Sequence, residues 1–278
     1  MASMKRRWLA AIVLIAIPFG LALRVIDLPE YPDEDIARAV SKRMWMEGTL
    51  DTNWRHLPEI ASHYPSDQFN FSSAIVAAQP VAYAVSLATH GRYARWDLAA
   101  LRWASAAFNA AALVLFFLAF ARLWGPVTAA LALAFIVASA QLFLASLYAR
   151  PEAFVLFGFA AALLCVLRAA ASTSGARLGW IGAAGAFCGL LAASKFSLVF
   201  VLAHLGLLHL ALLRESGSAS ARRIPGEALA ALAGFVAGFS LGAPGAIVDP
   251  AAFARGAMAL AAQYAAPHVP YGRPGEPL

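Results

Sequence analysis

The sequence predicts an all-α, polytopic membrane protein with about seven transmembrane helices and a long first non-cytoplasmic loop that carries interfacial helices. Its composition gives the first reason. Of the 278 residues, 62% are hydrophobic and 13% are charged, whereas soluble domains are about half apolar and a quarter charged. The apolar residues also form separate runs, most of them long enough to cross roughly 30 Å of hydrocarbon. Finally, the basic residues stand in short clusters between those runs, which is typical of topology signals.

Two further features of the composition exclude classes of function. The formal net charge is +6, but the sequence contains no long basic run with interleaved aromatic residues, so a nucleic-acid partner is not expected. Cys165 and Cys188 both fall inside apolar runs. Neither a disulfide framework nor a zinc site is therefore expected.

The first predicted span covers residues 8–26 and follows the basic triplet Lys5-Arg6-Arg7. A signal peptide begins in the same way, but its apolar region usually has roughly 7–15 residues and precedes a cleavage site with small residues. This run is longer and ends in Arg24-Val25-Ile26-Asp27 without such a site. We therefore predict an uncleaved span with the N-terminus in the cytoplasm.

The first loop, residues 27–100, holds most of the acidic residues of the chain. Within it, residues 33–50 have apolar side chains at close to helical spacing, which predicts a short amphipathic helix along the membrane interface. Pro32 stands at the start of this helix and Gly48 near its end. Residues 71–90 are apolar as well, but Gln79-Pro80 interrupts them. They can span the membrane, dip into it or lie flat on it.

The basic clusters decide between these alternatives for residues 71–90. If this segment does not cross, every later arginine cluster falls on the side of the N-terminus, as the positive-inside rule requires, and Arg92 and Arg95 are left outside. If it crosses, the larger set of clusters lies outside. We therefore predict an interfacial or re-entrant segment, and seven spans in a single module of residues 1–278, with a second non-cytoplasmic loop starting in residues 249–278. The later spans are predicted at 101–120, 127–148, 151–167, 178–194, 196–213 and 228–248.

The same topology places a group of charged or titratable residues on the non-cytoplasmic face. Charged groups near hydrocarbon are costly and indicate function by default. For the basic members the alternative is that their side chains reach the lipid head groups. Two acids in the first loop together with two bases at span ends indicate carboxylate chemistry beside a phosphate-binding pair. The group consists of Asp33, Glu34, Arg150, Glu152, Lys195, Asp249 and His268.

Five short segments, spread over nearly the whole chain, carry a family resemblance. They are Pro32-Asp33-Glu34, Ala121-Arg122-Leu123-Trp124-Gly125, Ala149-Arg150-Pro151-Glu152, Gly189-Leu190-Leu191-Ala192-Ala193-Ser194-Lys195, and Gly242-Ala243-Pro244-Gly245-Ala246-Ile247-Val248-Asp249-Pro250. In this order they resemble the C-type integral-membrane glycosyltransferases, in the branch of the protein O-mannosyltransferases and the lipid A aminoarabinose transferases (glycosyltransferase family 39-like). The resemblance implies a donor sugar on a polyprenyl phosphate, and a first-loop acid at an active site on the non-cytoplasmic side.

The sequence departs from the pattern of this family in three places. Gln79-Pro80-Val81-Ala82-Tyr83 stands where members commonly have two prolines and an aromatic residue, and Glu152 stands where they have an aspartate. Members also usually continue beyond seven spans, whereas this sequence ends at Leu278 within its second loop. We therefore expect a chain that is short at its C-terminal end relative to the family.

Transfer from a polyprenyl monophosphate requires a base for the acceptor and cations for the leaving phosphate. Asp33 is predicted to be the base, with Glu34 orienting the acceptor or sharing that role. Arg150 and Lys195 are predicted to hold the phosphate. Direct displacement predicts inversion, because retention requires a carboxylate nucleophile, for which Glu152 is the candidate at a span end. The further candidates for substrate binding are Glu152, Asp249 and His268.

No cofactor is expected, and the spacing of Asp33, Glu34 and His268 matches no metal-ligand motif, although a divalent metal is not excluded. The expected location is the inner (plasma) membrane of a bacterium, with the active site on the periplasmic face. The acceptor can be a lipid, a glycan or a protein. Two other functions stay open: a non-enzymatic multi-pass protein, such as half of a transporter or an assembly partner, and an inactive member of the glycosyltransferase family.

Overall fold

The computed structural model describes residues 12–22, 34, 98–139, 148–149, 151–194, 196–215, 223–251, 253–254 and 258. All regular secondary structure in these residues is helical, which confirms the predicted fold class. A short 3-10 helix, Phe196–Val199, directly precedes the helix that starts at Phe200. The helices are α1 (Ile12–Ala22), α2 (Leu98–Trp124), α3 (Pro126–Val137), α4 (Pro151–Ala170), α5 (Ser174–Ser194), α6 (Phe200–Glu215), α7 (Ile224–Gly242) and the single turn α8 (Gly245–Val248).

Four of these helices, α2, α4, α5 and α7, are long and apolar enough to cross a membrane. Three further helices, α1, α3 and α6, are apolar but shorter. Together they correspond to the seven predicted apolar segments and confirm a polytopic membrane protein. The predicted interfacial helix of residues 33–50, apart from Glu34, and the segment 71–90 lie outside the described residues.

Two predicted spans extend well beyond the ends of their helices. The span predicted at 127–148 begins as expected, but α3 ends at Val137, and Tyr148 and Ala149 form a bend. The helix that corresponds to the span predicted at 228–248, α7, begins four residues earlier, at Ile224, and ends at Gly242. Here the reason is local, because Ala243 precedes Pro244, and a residue before proline is disfavoured in the helical conformation. Ala243 accordingly has φ −132° and ψ 67°.

Helices α2 and α3 form an antiparallel hairpin around Gly125. This glycine has a φ of 82°, a conformation that residues with a Cβ rarely adopt, and Pro126 follows at the first position of α3. The two helices pack through a cluster that includes Leu113, Phe117 and Leu133. The chain reversal that the sequence predicts after Trp124 is thereby explained.

Helix α4 runs parallel to α2, since aromatic contacts between them follow the same order along both helices. The ring of Phe108 lies 5.1 Å from that of Phe154, and the ring of Phe116 lies 6.1 Å from that of Phe159. Aromatic pairs at such distances contribute about 0.5–1.5 kcal/mol each beyond their buried area. The starts of α2 and α4 therefore lie at the same end of the bundle.

Helices α5 and α7 approach each other closely through small residues. A Cβ added at Gly185 would overlap the carbonyl oxygen of Ala231, and a Cβ added at Gly238 would overlap that of Ala186. Small residues of this kind let membrane helices pack backbone to backbone. Because Gly182 faces Gly234 and Ala186 faces Gly238, the two helices run parallel.

The helix directions give the bundle two distinct ends. The starts of α2 and α4 and the ends of α5 and α7 lie at one end, which we call the site end. The opposite end holds the last turns of α2, α4 and α6 and the first turns of α5 and α7. We call it the basic end, because its described residues include Arg122, Arg168, Arg177, Arg214 and Arg223.

Candidate active site

At the site end, Glu34 forms a bidentate ion pair with Arg102. Arg102 Nε donates to Glu34 Oε1 at 3.0 Å, and Arg102 Nη2 donates to Glu34 Oε2 at 2.7 Å. Glu34 is 0% exposed and Arg102 is 2% exposed. Two parallel bonds between a guanidinium and a carboxylate fix the relative orientation of both groups. The pair therefore holds the first loop against the beginning of α2.

A third bond connects Glu34 to the bend before α4. The backbone N–H of Ala149 donates to Glu34 Oε1 at 2.6 Å, and the guanidinium of Arg102 lies 5.5 Å from the centroid of the Tyr148 ring. The N–H of Ala149, in the bend at residues 148 and 149, thus bonds to a side chain of the first loop. Glu34 consequently joins three parts of the chain: the first loop, α2 and the segment before α4.

This environment differs from the one that the sequence predicts for Glu34. A carboxylate that orients an acceptor, or shares the role of base, needs an oxygen that faces the substrate. Glu34 is completely buried, and both of its oxygens are bonded to protein groups. Its geometry suits a residue that positions the segments around it.

Four predicted site residues, Asp33, Arg150, Lys195 and His268, lie outside the described residues. Their neighbours in sequence are informative. Asp33 directly precedes Glu34, and Arg150 directly follows Ala149, so the bond between Glu34 and Ala149 connects the two segments that carry them. Ser194, the last residue of α5, lies at the site end, and Lys195 is the next residue in the sequence.

The structure places the two other predicted residues at the site end. Glu152 lies half-buried in the first turn of α4, where the helix dipole favours a carboxylate. Asp249 is exposed and follows α8, and its backbone carbonyl accepts a hydrogen bond from the N–H of Phe253 at 2.9 Å.

No set of three or more His, Cys, Asp or Glu side chains is positioned to hold a metal ion within the part of the chain that the structure describes. The two cysteines, Cys165 and Cys188, are buried free thiols in the packing of α4 and α5. Asp33 and His268, which the sequence analysis considered as metal ligands together with Glu34, lie outside the described residues.

Sequence reasoning missed Arg102 as a site residue. Its partner is 68 positions away, and no local pattern reports a contact over that distance. One signal was present, since Arg102 stands just inside the apolar run of α2, and a charge inside a span usually has a partner. The sequence places Tyr148 at the end of a predicted span and Ala149 in a family motif. It gives no sign of the contact between Tyr148 and Arg102 or of the bond between Ala149 and Glu34.

Comparison with models of protein families identifies the family to which the chain belongs. The model of the dolichyl-phosphate-mannose-protein mannosyltransferase family matches residues 68–220, more than half of the chain. The protein therefore belongs to this family of membrane glycosyltransferases, which confirms the resemblance seen in the sequence. No curated protein is significantly similar to the chain, and no solved structure is either. The matched range includes Arg102, Arg150, Glu152 and Lys195, while Asp33 and Glu34 precede it.

Proposed function

We propose that the protein transfers a sugar from a polyprenyl-phosphate donor to a lipid, glycan or protein acceptor at the site end of the bundle. Family membership supports glycosyl transfer as the class of reaction. The family is described by its transfer of mannose from dolichyl phosphate, so mannose is the first sugar to test.

The bridge made by Glu34 is the observation that carries this proposal. It joins the residue after Asp33 to the residue before Arg150 through a bond of 2.6 Å between Glu34 and Ala149. A transfer reaction needs its base and its phosphate-binding cation on opposite sides of one anomeric carbon. A buried, fully bonded carboxylate between the two segments is a suitable device for holding them at a fixed separation.

In the proposed reaction the acceptor hydroxyl attacks the anomeric carbon of the donor while Asp33 takes its proton. The bond between the anomeric carbon and the phosphate oxygen breaks, and the phosphate leaves with the electron pair. Arg150 and Lys195 balance the charge that develops on this phosphate. One direct displacement inverts the anomeric centre. The alternative with retention would make Glu152 the nucleophile.

The other predicted residues take supporting roles in this proposal. Glu34 positions the site and does not contact the acceptor. Glu152, Asp249 and His268 bind the sugar or the acceptor. The site end faces the non-cytoplasmic side, a proposal supported by the five arginines at the opposite end and by the positive-inside rule.

Site-directed labelling tests this orientation. Cysteines introduced at Ser62 and Ser216 should react with a membrane-impermeant reagent from opposite sides of the membrane, with Ser62 accessible from outside. Reaction of both positions from the same side would overturn the proposed orientation.

A donor comparison tests the reaction itself. The protein is reconstituted in lipid vesicles with radiolabelled mannose, supplied either on a polyprenyl phosphate or on a nucleotide, together with an extract of membrane acceptors. We expect transfer from the lipid donor alone, with loss of transfer in Asp33→Asn. Transfer from the nucleotide donor would contradict the proposed donor class, and no transfer from either would favour an inactive family member.

A further inference from the structure

Two neighbouring helices end in an exposed arginine at the basic end. Arg122 lies in the last turn of α2, and Arg168 lies in the last turn of α4. Both side chains are exposed. Because α2 and α4 pack against each other and run parallel, the interface between them ends at these two positive charges.

The register of α2 and α4 places the two arginines on the same edge of this interface. The rings of Phe108 in α2 and Phe154 in α4 lie 5.1 Å apart. Arg122 follows Phe108, and Arg168 follows Phe154, by the same number of residues, about four helical turns. Such a step returns to within about 40° of the same helix face. Arg122 and Arg168 therefore occupy adjacent positions on the two helices.

No carboxylate balances this pair within the part of the chain that the structure describes. From residue 98 to residue 214 the sequence has one acid, Glu152, and it lies at the site end in the first turn of α4. At the basic end, Glu227 of α7 is buried and lies 3.0 Å from His209 of α6. Like charges at adjacent positions repel each other, so the pair favours binding of an anion.

The surroundings of the pair belong to the membrane. The ring of Phe187 in α5 lies 6.0 Å from that of Phe157 in α4. Trp180 stands two turns nearer the basic end on α5 and is 40% exposed. Exposed tryptophans are typical of the boundary between hydrocarbon and water. Deeper along α2, Val114 is 42% exposed, about 12 Å of helix rise from Arg122. A ligand at this position therefore lies with its anionic group next to hydrocarbon.

We propose that Arg122 and Arg168 bind the head group of one anionic phospholipid. The phosphate oxygens accept hydrogen bonds from both guanidinium groups, whose forked geometry suits phosphate. The acyl chains lie along the lipid-facing side of α2. The site is at the opposite end of the bundle from the proposed transfer site, and it depends neither on that reaction nor on the orientation of the protein.

Native mass spectrometry of the full chain, released from detergent micelles, tests the proposal. The protein is titrated with dioleoyl phosphatidylglycerol, which is anionic, or with dioleoyl phosphatidylcholine, which has the same chains and no net charge. We expect the first phosphatidylglycerol to bind at a concentration lower by roughly fivefold or more, because one arginine near an anionic lipid already contributes about this factor. An excess of glycerol phosphate, a soluble form of the same anion, should not displace the lipid.

Three glutamine variants test whether the two arginines form one site. Arg122→Gln and Arg168→Gln should each lower the affinity for phosphatidylglycerol by roughly fivefold or more and leave that for phosphatidylcholine unchanged. Because both arginines hold the same phosphate, the double variant should lose hardly more than either single variant. The matched control is Arg223→Gln, which removes an exposed arginine just before α7 at the same end and should leave the affinity unchanged.

Four results would overturn the proposal. Equal affinity for the two lipids in the wild type would show that the pair does not select an anionic head group. Displacement by glycerol phosphate would assign the pair to a soluble phosphate. Losses that add up in the double variant, or an equal loss in Arg223→Gln, would show that each arginine attracts lipid independently. Melting temperatures in phosphatidylcholine check that the variants are folded, and they should match the wild type because the side chains are exposed.

Discussion

The two ends of the bundle each bury a glutamate with an arginine, but the two pairs are built differently. At the site end, Glu34 receives two bonds from Arg102 and one from Ala149, all between 2.6 and 3.0 Å. At the basic end, Glu227 lies 3.0 Å from His209 and 3.7 Å from Arg177, and it lines a cavity. A carboxylate that receives three short hydrogen bonds should hold its segments in place more firmly than one with two longer contacts.

The largest difference between the two ends should be in stability. Glu34→Ala breaks the buried bidentate pair with Arg102 and removes the acceptor for the Ala149 N–H, and breaking a buried pair typically costs about 3–5 kcal/mol. Glu227→Ala should cost about 1–3 kcal/mol, because Arg177 keeps its bond to the carbonyl of Ser172. Denaturant titration in detergent micelles measures both losses. Equal losses would show that the two pairs are energetically equivalent and would remove the basis of the comparison.

The second prediction compares the basic residues of the two ends. If Arg150 and Lys195 hold the donor phosphate, replacing either by alanine removes a charge-assisted bond worth about 1.5–3 kcal/mol, and affinity for polyprenyl phosphate should fall roughly ten- to a hundredfold. Arg223→Ala removes an exposed arginine at the basic end and serves as the control. Binding of the lipid phosphate by microscale thermophoresis gives the affinities.

Unchanged affinity in both Arg150→Ala and Lys195→Ala, with the fold intact, would mean that these side chains only reach toward lipid head groups. An equal loss in Arg223→Ala would indicate general attraction of the anionic lipid and no specific site.

A conservative substitution at each arginine gives the smallest expected difference. Lysine cannot make the two-pronged bond that Arg102 makes with Glu34, so Arg102→Lys should cost about 1–2 kcal/mol. Arg177→Lys should cost less than about 1 kcal/mol, since the 3.7 Å contact with Glu227 is not bidentate. The same denaturant titration measures both variants. A larger loss for Arg177→Lys would contradict the assignment of Arg102 as the more specific partner.

The sequence predicted the helices well because each apolar run is a local feature. It predicted their ends less well: the span predicted to reach residue 148 corresponds to α3, which ends at Val137. The bond from Ala149 to the carboxylate of Glu34 joins residues 115 positions apart, and no local pattern reports such a contact. The end of α7 was predictable in principle from Pro244, which was instead read as lying inside a span.

The candidate site shows the same division. The sequence identified Glu34 as a residue of interest through its charge and its motif, but it could not show that Arg102 is its partner, because the two are 68 positions apart. At the other end, Arg177 belongs to one of the arginine clusters that the sequence marks as topology signals, and no pattern singles out His209 or Glu227. His209 stands inside a predicted span, while Arg177 and Glu227 directly precede two others, and nothing in the sequence indicates that the fold brings the three together.

The rate of mannose transfer by the Asp33→Asn variant tests most directly whether Asp33 is the base. Asparagine keeps the shape of the side chain and its ability to accept a hydrogen bond near a helix start, so protein yield and thermal stability should change little. Transfer of mannose from the polyprenyl-phosphate donor should fall by the roughly hundred- to ten-thousandfold that is usual for loss of a positioned base. Asp35→Asn, two residues later in the same acidic run, is the matched control and should keep near-normal activity. Equal activity in the wild type and Asp33→Asn, or equal losses in both variants, would contradict the role of Asp33 as the base.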